Sequence, residues 1–93
     1  MMVIHLDFSA FETIDEVHSY LNDAFEFPEP TGKNWDAFWD RIRYWYLDEG
    51  EVLVEVVGFD RMDKLLRDYC APFFDILSRV RIETPNVKVK IIE

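Results

Sequence analysis

Nine residues in the middle of the chain, EVLVEVVGF (Glu51 to Phe59), restrict the folds open to it more than any other stretch. Four valines, a leucine and Glu55 fill positions 52 to 57, with Gly50 before them and Gly58 after. That density of β-branched side chains predicts a strand, largely buried if helices cover both sides. Shorter strand patterns stand at the two ends. In MVIHLDF, Val3, His5 and Asp7 alternate with Ile4, Leu6 and Phe8, and VKVKIIE closes the chain. Between each strand and the next lie two stretches of helical periodicity. Strands separated by pairs of helices need crossover connections, so the three should run parallel in one sheet. The expected order is β-α-α-β-α-α-β, an α/β fold with a three-stranded parallel sheet and about four helices.

Local signals place the helices. Thr13 is an N-cap with Glu16 three residues on, and Ile14, Val17, Leu21 and Ala24 or Phe25 form the first stripe. EFPEPTGK, with Pro28, Pro30 and Gly32, is loop. Asn34 caps a second helix whose inner stripe is Trp35, Phe38, Ile42 and Trp45, closed by Gly50. A short helix over Arg61 to Tyr69 turns Met62, Leu65 and Leu66 inward. Pro72 then opens a helix with the stripe Phe73, Ile76, Leu77 and Val80.

Ninety-three residues suffice for a single domain, 1–93, with a real core. A content of 49% hydrophobic and 16% aromatic residues separates the chain from disordered acidic sequences. No apolar run approaches the roughly 20 residues of a membrane span, and MMVIHLDFSA lacks the basic and apolar regions of an export signal. Cys70 is the sole cysteine; it reads as a small core residue in a cytoplasmic protein. The net charge of −9 is lopsided: Met1 to Asp60 carries −11, and the remainder +2. Such a field repels nucleic acid and anionic membranes and attracts basic partners, which places the attracting face in the first two-thirds of the chain.

The sequence holds few catalytic candidates. His5 and His18 have no second His or Cys at ligand spacing, and His18 falls on the outer face of the first helix beside Asp15. Ser9, Ser19 and Ser78 lack the turn of a nucleophile elbow, and no glycine-rich phosphate loop or other cofactor motif is present. What does stand out is GKNWDAFWD, Gly32 to Asp40, which sets Asp36 and Asp40 four residues apart on the outward side of the second helix. Like charges at this spacing repel by roughly 0.2 to 0.5 kcal/mol, a cost folding alone does not explain. The pair admits three readings. It could serve as an acid–base or metal pair, although the helix is open on that side. Alternatively, Asp36 answers the helix dipole while Asp40 pairs with Arg43. Finally, both could belong to an acidic edge bordered by the aromatic rings of Trp39 and Tyr44, the composition of an interface hot spot.

Gly32, Asn34, Asp36, Ala37, Trp39 and Asp40, with Ile42 and Trp45 beyond, match the spacing G-x-N-x-D-A-x-W-D. This segment resembles the signature loop and helix of the barstar family, intracellular inhibitors of the ribonuclease barnase, and the order of elements is similar along the whole chain. The resemblance implies an inhibitor or immunity protein, not an enzyme, monomeric when free, that plugs the active site of a basic ribonuclease or nuclease toxin. Asp40 would occupy the phosphate site and Asp36 would lie beside it. The Gly32 backbone, Asn34, Trp39, Arg43 and Tyr44 would be in contact range. Two places depart from the family. Pro30 and Thr31 replace aromatic residues before the glycine, and Arg79 replaces an acidic contact, which implies an enzyme with an acidic or neutral group opposite Arg79. A rival function of another class is a small acidic adaptor for a basic protein that is not a nuclease.

Overall fold

The computed structural model describes residues 1–28 and 32–92. Pro30 and Thr31, and with them the first departure from the family, lie outside the described residues. The elements are β1 (Met2–Asp7), α1 (Ile14–Ala24), α2 (Trp35–Ile42), β2 (Val52–Val57), α3 (Lys64–Tyr69), α4 (Ala71–Glu83) and β3 (Val87–Ile92), with a 3-10 turn at Phe59–Arg61. The strands form one parallel sheet in the order β1-β2-β3, with His5 opposite Glu55 and Glu55 opposite Lys90. The expected β-α-α-β-α-α-β order holds.

Burial of β2 differs from the expectation. Val52, Val54 and Val56 are buried, whereas Leu53, Glu55 and Val57 are only half-buried. The sheet order explains this. Both crossovers step in the same direction across the sheet, and right-handed connections of that kind place every helix on one face. That face carries Ile4 and Leu6 of β1, the three valines and Val87 of β3. On the other face lie His5, Glu55 and Lys90, and His5 Nδ1 meets Glu55 Oε1 at 2.9 Å.

Side-chain caps start three of the helices. The Thr13 hydroxyl accepts from the Glu16 N–H at 3.1 Å, Asn34 Oδ1 from the Ala37 N–H at 2.8 Å, and Asp63 Oδ2 from the Leu65 N–H at 3.1 Å. Asp63 caps within what the sequence suggested was one helix from Arg61, and Met62 before it is extended. Met62 before the shortened helix and Leu66 within it are buried, but Leu65 is 79% exposed. Ile14, at the very start of α1, is likewise exposed. Pro72 opens α4, whose stripe Phe73, Ile76, Leu77 and Val80 is buried as the spacing predicts.

The helix α2 ends at Ile42, eight residues before Gly50. The carbonyl of Arg43, which would accept from Leu47 in a longer helix, accepts from Thr84 Oγ1 at 2.9 Å. Asn86 Nδ2 donates to the carbonyls of Tyr46 (2.7 Å) and Gly50 (2.6 Å). Hydrogen bonds from the α4–β3 turn thus replace the helical ladder, and turns closed by bonds between residues three apart carry the chain on to Gly50 at φ +73°. The same segment is anchored to the end of α1: Trp45 Nε1 and the Tyr46 hydroxyl both donate to the Phe25 carbonyl at 3.0 Å. Burial pushes the Tyr46 phenol up to about 12.

Beneath these elements the core is mainly aliphatic and holds a cluster of aromatic rings. Phe38 of α2 lies 5.7 Å from both Phe25 and Phe73, and Phe8 lies 5.2 Å from Phe73. Cys70 is fully buried, and its thiol is pushed up to about 11, as suits an inert packing residue.

Candidate functional site

The second helix is held by its inner side and free on its outer side. Phe38 and Ile42 are buried in the core. Trp35, in the first turn, is half-buried and donates from Nε1 to the Tyr69 carbonyl at 2.9 Å. His18 lies under it, with ring centroids 4.8 Å apart, and its Nε2 meets the Tyr69 hydroxyl at 2.6 Å. The expected outward position of His18 is therefore wrong: it is 4% exposed, packed where α1, α2 and α3 meet. Asp15 turns to Lys33 instead, at 3.5 Å. Contacts from α2 and α3, sequentially remote from His18, decide its burial.

Asp36 and Asp40 are exposed on the outer side, and among the described residues neither makes an ion pair or side-chain hydrogen bond. The cations nearest in sequence are engaged elsewhere: the Arg41 guanidinium carbon lies 5.8 Å from the centroid of the Phe27 ring. Lys33 is with Asp15, and Arg43, the suggested partner of Asp40, donates to Glu83 Oε1 of α4 at 3.3 Å. That bond and the charge of Glu83 raise the Arg43 pKa further. The Tyr44 hydroxyl donates weakly to the same oxygen at 3.4 Å, leaving the ring half exposed.

Trp39 is half-buried, at the border between the acidic face and α4. The Arg43 guanidinium carbon lies 5.2 Å from its ring and that of Arg79 lies 4.6 Å away. Asp36, Trp39, Asp40, Arg43, Tyr44 and Arg79 therefore form one surface built on α2, the turn that follows it and α4. Gly32 and Asn34 border it at the exposed start of α2, where a side chain at Gly32 would come within 3.3 Å of Ala37 and Asn34. Glu83, which ties Arg43 down, was not anticipated. Its only sequence signal is a position one turn beyond Arg79.

The chain matches the family model described as Barstar (barnase inhibitor) over residues 1–92. It belongs to the barstar family. A relative from Bacillus subtilis (strain 168), named "Putative ribonuclease inhibitor YrdF", is 30% identical over 93 residues, the full length of both chains. The family is one of inhibitors, not catalysts.

The surface away from α2 supplies little chemistry. A cleft at the carboxyl ends of the strands, where α/β sheets often bind ligands, is lined by Asp7, Ser9, Gly58, Asp60 and Arg61. The Asp7 carboxylate there accepts from the Ser9 hydroxyl (2.7 Å) and N–H (2.9 Å), which lowers its pKa and closes a turn. Gly58 passes so close, at φ +77°, that a Cβ would lie 2.8 Å from Asp7 Oδ1. Among the described residues, no group of three or more His, Cys, Asp and Glu is placed to hold a metal. Among the described residues no helix is long and apolar enough to cross a membrane.

Proposed function

We propose that this barstar-family protein is an immunity protein that presents the acidic face of α2, from Gly32 to Tyr44, to the cationic active site of a ribonuclease. In this reading Asp40 takes the place of a substrate phosphate, with Asp36 as a second anion beside it. The inhibitor acts in the cytoplasm as a monomer until it meets its enzyme, a basic nuclease toxin. One observation carries the proposal: two exposed carboxylates stand one helical turn apart with no cation on them among the described residues, while Lys33 and Arg43 are engaged elsewhere. An enzyme that binds phosphate must hold Lys, Arg or His in its cleft. A helix fixed by Trp35, Phe38 and Ile42 brings its carboxylates to those groups with little further ordering.

Asp40→Ala tests this. The variant is expected to weaken inhibition by more than about 2 kcal/mol, roughly 30-fold, a hot-spot threshold for which barnase with barstar is itself a reference case. Its thermal midpoint should stay near that of the natural chain, since an exposed, unpaired residue is removed. A comparable loss of stability in the free protein would show Asp40 to be structural. Binding of a basic protein without ribonuclease activity, and no inhibition of any ribonuclease, would favour the adaptor reading.

A further inference from the structure

Beside the acidic face the sign of the charge reverses. Arg79 projects from α4 over the ring of Trp39, its guanidinium carbon 4.6 Å from the ring centroid. Among the described residues no carboxylate lies within ion-pair distance of it. Its neighbour Arg43 is in the opposite condition: Glu83 neutralises it, and its Nε is shut from solvent with no hydrogen-bond partner. Arg43, Arg79, Ile82 and Glu83 line a groove of about 270 Å³, and Ile82 is 79% exposed. Stacking on Trp39 restricts the Arg79 side chain while leaving its N–H donors available. A planar guanidinium held in this way, next to bare aliphatic surface, suits a carboxylate on a side chain with an apolar stem or neighbour.

We infer that Arg79 determines which ribonuclease is bound, by receiving an Asp or Glu carboxylate on the rim of the enzyme's basic cleft while Ile82 packs against the apolar part of the same rim. The inference rests on the proposed insertion of α2, which brings that rim over α4. An enzyme with Lys or Arg at this place would meet a like charge that cannot withdraw without leaving Trp39, and would be rejected.

The test uses a displayed library of catalytically inactive barnase, randomised at residues bordering its cleft. The library is sorted separately against the natural chain, Arg79→Glu, Arg79→Met and Asp40→Ala. The natural chain should enrich clones with Asp or Glu at one rim position, and Arg79→Glu clones with Lys or Arg there. Each chain should prefer its own clones by tenfold or more in Kd. Arg79→Met, which keeps a stem to pack on Trp39, should lose the preference in both directions. Natural and Arg79→Glu chains selecting the same clones, with affinities within twofold, would overturn the carboxylate pocket. If Asp40→Ala has meanwhile lost binding, the inserted helix survives that failure. Undiminished binding by Asp40→Ala overturns the insertion, and the pocket with it.

Discussion

His18 has its imidazole between Trp35 and the Tyr69 hydroxyl, and this burial has a consequence for pH. Desolvation lowers its pKa below the ordinary value of 6.5; Lys33 lowers it further, and Asp15 opposes. The unfolded chain, with the ordinary pKa, therefore binds the proton more readily. Stability rises with pH wherever the unfolded state holds more protons. The contribution of neutral His18 is complete above about 6.5 and is lost as pH falls from there to the depressed folded value. Thermal midpoints of the natural chain should decline across that window. Those of His18→Gln should be flatter, since glutamine does not titrate. Parallel declines would assign the effect to other groups. Because His18 supports Trp35, inhibition should weaken over the same window in the natural chain.

The helix α2 has eight residues, too few to persist in water without help. Asn34 supplies part of that help by accepting from the Ala37 N–H, and Asp36 lies in the turn so capped. Asn34→Ala should cost about 1 kcal/mol, lowering the thermal midpoint by roughly 4–8 °C for a chain of this size. Asn34→Ser or Asn34→Asp should restore most of it. Calorimetry decides the point: an unchanged midpoint in Asn34→Ala would mean that Trp35 and Phe38 fix the helix start without the cap. The far end is secured differently, by Thr84 and Asn86, which accounts for the helix stopping at Ile42 although helix-compatible residues follow.

The molecule is asymmetric in both charge and layering. Residues 1 to 60 carry −11 while the rest carries +2, and the acidic face of α2 belongs to the first part. Association with a basic ribonuclease should therefore be fast at low salt and slow steeply as ionic strength rises and the Debye length falls to about 8 Å at 0.15 M. Dissociation should change much less, being governed by contacts already made. Stopped-flow measurements across a salt series give both rates. An association rate indifferent to salt would mean that apolar contacts, not this field, guide the encounter.

The strands, the caps at Thr13 and Asn34, the α4 stripe and the outward pair Asp36 and Asp40 were legible in the sequence because each depends on residues within a turn or two of one another. The spacing G-x-N-x-D-A-x-W-D also pointed to the family, since it condenses a local structure into one segment. Leu65 was misread because the side-chain cap at Asp63 shifts the helix start and with it the buried face. His18, the end of α2 and the pairing of Arg43 were not legible, because each depends on partners 40 or more residues away: Tyr69, Thr84 and Glu83. Whether helices cover one face of the sheet or both was also hidden. The strand pattern of β2 permits either, and it is the direction of the two crossovers, a property of the assembled sheet, that leaves Leu53, Glu55 and Val57 on the uncovered side.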